Sequence, residues 1–139
     1  MRAIIRSKEV HTQREMIEEL NKQGIHCTQA TISRDINDMG LEKSHDGVYM
    51  LKEDSHLKRL AMALVLDVLS VNNLVIVKTR SGMAQGVAAA VDAARMEHLL
   101  GSIAGDDTVL LVAGDDMQAQ EIVVLLDILR EKKGTLDAK

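Results

Sequence analysis

The 139-residue chain has no proline, tryptophan or phenylalanine, one tyrosine and one cysteine. A lone Cys27 cannot close an internal disulfide, so no covalent staple is expected. Without large aromatic side chains the core has to be built from aliphatic residues and methionine, and Met16, Met39 and Met62 read as gap fillers in it. The five histidines are scattered, without the close spacing of zinc ligands, and no metal site is expected. No run approaches the roughly 18 uninterrupted apolar residues of a membrane span. The start, Met1-Arg2-Ala3-Ile4-Ile5-Arg6, also lacks the apolar stretch and cleavage site of a secretory signal, so a cytoplasmic protein without a membrane partner is expected.

What is present is the composition of a soluble globular protein, 46% apolar and 27% charged, with enough apolar residues for one core or two modest ones. The net charge of −4 argues against nucleic acid until its distribution is considered, because phosphate contacts supply most non-specific affinity. Residues 1–52 hold eight basic against eight acidic side chains, and residues 53–139 hold nine against thirteen. The first part is therefore neutral. A neutral DNA-binding domain binds weakly alone, so several copies must act together or its basic residues must cluster on one face.

The first part reads as three short helices and a hairpin. Thr12-Gln13-Arg14-Glu15 has the form of a capping box, and the helix it opens runs over Met16, Ile17 and Leu20 towards Gly24. Thr28 caps a further helix in which Ile32, Ile36 and Met39 share one stripe, with Gly40 closing it and Ala30, Arg34 and Asn37 on the opposite arc. Residues 41–44 and 48–51 then bracket His45-Asp46-Gly47, an Asp-Gly hairpin signal. Helix, helix, turn, helix and hairpin make a winged helix-turn-helix.

Residues 53–56 read as a polar linker, after which Leu57, Leu60, Leu64 and Val68 recur at helical spacing. Strand-like runs follow at 74–79, 99–104 and 108–113, with an alanine-rich helix at 84–94 and a last helix over about 117–131. The expected fold class is α+β with two domains. Residues 1–52 form the winged helix-turn-helix, and 57–139 form a small α/β sandwich, an antiparallel-type sheet covered by helices.

Two constellations could carry function. The helix start Thr28-Gln29-Ala30-Thr31-Ile32-Ser33-Arg34-Asp35 exposes amide, hydroxyl and guanidinium groups that bond base edges and phosphates, although an ordinary polar helix face has the same look. Gly105-Asp106-Asp107 is either a plain hairpin turn or a cation-binding acidic pair. Its near repeat Gly114-Asp115-Asp116 precedes a helix and reads as a cap. Mg²⁺ chemistry at the acidic pair lacks a companion nucleophile, base or phosphate loop, so no catalytic residue is assigned and no enzyme is expected.

The segment from Thr28 to Ile36, followed by Met39-Gly40-Leu41 and the small wing, resembles the DNA-reading segment of bacterial arginine repressors. The second half is similar to the same family's core domain through Leu74-Val75-Ile76-Val77-Lys78-Thr79, the helix bearing Gln85 and Asp92, and Gly101-Ser102-Ile103-Ala104-Gly105-Asp106-Asp107-Thr108. The resemblance implies a repressor of arginine metabolism genes, assembled as a dimer of trimers, with L-arginine as corepressor between the trimers and no other cofactor. It implies operator contacts at Gln29, Thr31, Ser33 and Arg34. It also implies an arginine site lined by Gln85, Asp92, Ala104, Asp106 and Asp107. Ser102 stands where the family commonly has threonine, and Ser81-Gly82-Met83-Ala84 where it more often has a proline.

The chemistry of such a site follows from the ligand. A guanidinium is a planar fork of donors suited to Asp106 and Asp107, while Asp92 and Gln85, two turns apart on one helix, suit the amino-acid end. Two other functions fit the same fold: a regulator answering to another cationic amino acid such as ornithine, which lacks the fork, and an architectural protein that binds DNA without operator preference.

Overall fold

The computed structural model describes residues 1–44 and 46–131. His45 of the wing turn, and Lys132 and Lys133, which the sequence suggests are solvated at the end of the last helix, lie outside the described residues. The chain divides into two compact units, Met1–Ser55 and His56 onward.

The N-terminal unit consists of α1 (Arg2–Ser7), α2 (Gln13–Lys22), α3 (Gln29–Met39) and an antiparallel pair, β1 (Leu41–Lys43) and β2 (Tyr49–Leu51). Local chemistry sets each boundary. The Thr12 hydroxyl accepts the Glu15 backbone N–H at 3.1 Å, and the Glu15 carboxylate accepts the N–H of His11 at 2.8 Å instead of that of Thr12 as the capping box implies. The N–H groups of Glu15 and His11 are thereby both satisfied. Thr28 caps α3 by accepting the Thr31 N–H, and Gly40 ends that helix at φ 66°, a left-handed conformation that glycine adopts without steric cost. Ile4, Ile5, Val10, Met16, Leu20, Ile32, Ile36 and Tyr49 form the core, so the single aromatic residue of the protein is used here. A two-pronged ion pair, with Arg6 Nε and Nη2 each 2.8 Å from a carboxylate oxygen of Asp54, links α1 to the far end of this unit.

The next helix, α4 (Lys52–Leu64), includes residues 53–56, which the sequence suggests are a linker. It also stops sooner than the spacing of Leu57, Leu60, Leu64 and Val68 implies. From Val65 the chain becomes a strand, β3 (Val65–Val71), which pairs antiparallel with β4 (Leu74–Thr79) across the two-residue turn Asn72-Asn73. Val68 is buried from this strand. Three valines within seven residues favour extended backbone, and Asn72 takes the positive φ (52°) that a tight hairpin needs.

The remaining elements are α5 (Ala84–Ala94), β5 (Leu99–Ala104), β6 (Thr108–Ala113) and α6 (Asp116–Arg130). The sheet order is β3-β4-β6-β5 with every pairing antiparallel, and both outer strands carry a register shift, at 65/67 in β3 and at 99/101 in β5. Val75, Val77, Val109 and Leu111 project from one face and pack with α5 and α6 in a single core. That core is aliphatic with Met96 as its one sulfur, and Ala84, Ala88, Ala90 and Ala94 let α5 lie close to the strands. Asp115 caps α6, its carboxylate accepting the Gln118 N–H at 2.8 Å, as its place before a helix suggests.

Truncation of a residue between the layers should be costly and truncation on the outer side of α6 nearly free. Leu111→Ala is expected to lower unfolding free energy by about 2–5 kcal/mol, and Val124→Ala by less than about 0.5 kcal/mol, measured from urea midpoints.

Candidate functional site

In the N-terminal unit, α3 buries Ile32 and Ile36 and turns its other side outward. Gln29, Thr31 and Arg34 are exposed and Ser33 is half-buried, so the four candidate DNA-contacting residues lie on or beside one outward arc with Ala30 and Asn37. The Thr31 hydroxyl is 3.0 Å from that of Thr28, which ties it to the helix cap while leaving a lone pair or a proton for a phosphate or base. Several cations elsewhere in the unit are engaged. Arg6 is held by Asp54, Lys8 and Lys22 share Glu19 at 2.8 and 3.2 Å, Arg14 is 3.8 Å from Glu18, and Lys43 lies 5.0 Å over the Tyr49 ring. Hydrogen bonds from Lys8 and then Lys22 hold the Glu19 carboxyl below the usual carboxylate range. Arg34 is thus a cation on the exposed arc of the helix with a cap at its own N-terminus, where backbone dipoles favour phosphate.

In the C-terminal unit the turn at 105–107 is held by backbone hydrogen bonds. The Asp106 carbonyl accepts the Ala84 N–H at 3.1 Å, the Asp107 carbonyl accepts the Thr79 N–H at 2.8 Å, and Gly105 N–H closes the hairpin on the Thr108 carbonyl at 2.9 Å. The acidic pair is therefore fastened to the first residue of α5, and Gln85 is the next residue on that helix. Ala104, the last residue of β5, is half-buried and leads into the turn.

The two carboxylates of the pair have different partners. Asp106 accepts a hydrogen bond from the Ser81 hydroxyl at 3.1 Å. Asp107 accepts from the Thr108 hydroxyl at 3.0 Å, Thr108 in turn accepts from Lys78 Nζ at 2.6 Å, and Lys78 is itself 3.8 Å from Asp107. The sequence suggests a matched pair of fork acceptors. Within one chain Asp107 already has an internal cation, and Asp106 does not have one among the described residues.

Asp92 stands two turns further along α5, about 10 Å along the helix axis from Gln85. Its carboxylate accepts from the Ser102 hydroxyl of β5, and it opens on a groove of about 270 Å³ lined also by Arg95, Met96, Leu99, Leu100 and Gly101. The five candidate ligand residues thus fall into two groups on one side of the unit, Gln85, Ala104, Asp106 and Asp107 at one end of α5 and Asp92 at the other. Ser81, Lys78 and Thr108 were not expected as partners of these carboxylates. Strand alternation gives a signal for Lys78 and Thr108, which are cross-strand neighbours in the β4–β6 register. Among the described residues no three His, Cys, Asp or Glu side chains are grouped to hold a metal ion, and no helix is long and apolar enough to cross a membrane.

A winged helix-turn-helix with a polar outward arc, followed by a sheet domain carrying a group of acidic side chains, defines a ligand-linked DNA-binding regulator. Comparison with known proteins narrows the class. Residues 1–57 match the family model described as arginine repressor, DNA binding domain, and residues 61–127 match arginine repressor, C-terminal domain. The chain is 41% identical over 122 residues to the arginine repressor of Solibacter usitatus, covering 86% of this chain and 84% of the other. It is 38% identical over 140 residues to that of Clostridium novyi, covering 94% and 93%. The chain belongs to the arginine repressor family and is a transcriptional repressor with a DNA-binding N-terminal domain.

If Arg34 contacts DNA, Arg34→Ala should weaken binding to a duplex selected from a random pool by about 5–100-fold at fixed salt, the loss of one good base or phosphate contact. Fluorescence anisotropy at several salt concentrations separates the two: a phosphate contact also reduces the salt slope by about one. Unchanged affinity for the selected duplex would remove Arg34 from the interface.

Proposed function

We propose that the chain represses arginine metabolism genes in the cytoplasm by binding operator DNA as an oligomer whose assembly L-arginine controls. Gln29, Thr31, Ser33 and Arg34 contact the operator. Gln85, Asp92, Ala104, Asp106 and Asp107 line the arginine site. The observation that carries the reading is the fastening of the 105–107 turn to the start of α5, which sets a carboxylate without an internal cation beside the exposed amide of Gln85. Asp106 is then the main acceptor for the ligand's guanidinium, and Asp107, already coupled to Lys78, makes the smaller contribution.

Oligomerisation follows from the side of the sheet that α5 and α6 do not cover. Leu69, Ile76, Leu110 and Ile103 pair across all four strands in one row, and Val71, Leu74 and Val112 form the next. Ile103 is 68% exposed, Val71 54% and Leu69 46% in the single chain. A contiguous apolar face of this kind calls for a partner, and a second and third copy of the chain supply one. The two groups of ligand residues stand at opposite ends of α5, about 10 Å apart along its axis, which fits a site completed between copies. There the acidic residues of several subunits meet, like charges oppose association, and a cationic ligand relieves the repulsion. The N-terminal unit, which carries no excess of basic residues and pairs several of its cations internally, then gains operator affinity from the number of copies acting together.

Asp106→Asn is expected to weaken L-arginine binding at least tenfold by calorimetry, on the scale of a lost charged hydrogen bond of about 1.5–3 kcal/mol, with a smaller loss for Asp107→Asn. Equal affinity of Asp106→Asn and the unaltered chain, or a preference for ornithine, would count against this site. Ile103→Glu, exposed in the single chain, should lower the mass measured by light scattering to that of a monomer; an unchanged oligomer would clear the open sheet face of any part in assembly.

A further inference from the structure

Ser102 Oγ is 2.7 Å from one oxygen of Asp92 and 2.9 Å from the other. A hydroxyl has one proton, so it donates to one oxygen at a time while standing almost equidistant from both, in front of the carboxylate between its two inner lone pairs. This is the seat that a guanidinium takes when it binds a carboxylate with two parallel N–H bonds. With the seat filled, the outer lone pairs remain, and each accepts a single N–H. An ammonium, a point charge with rotatable donors, fits that remainder, whereas a fork does not.

The arrangement depends on strand register. Ser102 pairs with Leu111, whose side chain is buried among the helices, so Ser102 is turned to the same side and meets α5. Its neighbours Gly101 and Ile103 pair with Val112 and Leu110 on the open face. The other charged group lining the groove beside Asp92 is Arg95.

We propose that Ser102 is a positioning residue that restricts Asp92 to the α-ammonium of the ligand and so fixes which way round the amino acid enters. The inference rests on the reading that Asp92 meets bound L-arginine. It explains how a site with three carboxylates avoids holding the guanidinium at the wrong end: Asp106, whose Ser81 bond reaches one oxygen only, keeps room for the fork, and Asp92 does not.

The test is calorimetric titration of the full chain and its Ser102→Ala and Ser102→Thr variants with L-arginine and with 5-guanidinopentanoic acid, which has the guanidinium and carboxylate but no α-ammonium. Ser102→Ala is expected to lose about tenfold in affinity for L-arginine, the scale of one hydrogen bond to a charged group, and to change by less than about twofold towards the analogue. Ser102→Thr keeps the hydroxyl and should restore L-arginine binding to within about threefold of the unaltered chain. Unchanged L-arginine affinity in Ser102→Ala overturns the proposal, and so does an equal loss for both ligands, which is the mark of a merely structural residue. Failure of the unaltered chain to bind L-arginine overturns the underlying reading and this one with it.

Discussion

Three backbone hydrogen bonds, from Ala84 to Asp106, from Thr79 to Asp107 and across the turn from Gly105 to Thr108, determine where the acidic pair Asp106-Asp107 stands. They use main-chain atoms, so the turn is held whatever its side chains do, and the carboxylates are released from any structural duty. Neighbouring hydroxyls then assign each one a direction. Asp106 is bonded to Ser81, Asp107 to Thr108 and through it to Lys78, and Asp92 to Ser102. Each carboxylate keeps lone pairs free while its rotamer is restrained, the condition for binding a cation without first ordering the acceptor.

Electrostatics in the N-terminal unit follow the opposite course. Several of its charges are paired with one another, with Glu19 between two lysines and Arg6 bidentate on Asp54, and these contacts hold α1, α2 and the end of the unit together. Such pairing limits the field available to DNA. For a repressor that limitation has a use, because a domain with strong non-specific attraction would stay on DNA regardless of its ligand, whereas weak domains respond steeply to how many are tethered together.

Much of this was legible in the sequence where the signal is short-ranged. Thr12, Thr28 and Asp115 act as caps, Gly40 closes α3, and Ile32 and Ile36 are buried as their spacing implies. The misreading at Val68 has a physical cause. A leucine stripe at 57, 60 and 64 continues by coincidence into a strand, and periodicity alone does not separate the last turn of a helix from the first residues of an extended run. The Asn72-Asn73 pair was the available correction. Partners of the carboxylates were out of reach for another reason: Ser81 lies 25 residues from Asp106 and Ser102 lies 10 from Asp92, and both bonds depend on strand register and on the docking of a turn.

The register shifts in β3 and β5 bear on how the protein behaves while it is being synthesised. A sheet with one bare apolar side is a hazard at high local concentration, and its two outer strands, with unpaired N–H and C=O groups, offer a second route to association by strand addition. An irregularity in each outer strand bends and twists it away from the flat geometry that another chain could extend. Growth of the sheet by added strands, across the strand direction, is thereby discouraged. What is left for association is the face, where a few copies packed around an axis would use the surface up and leave nothing for an open-ended fibre to extend.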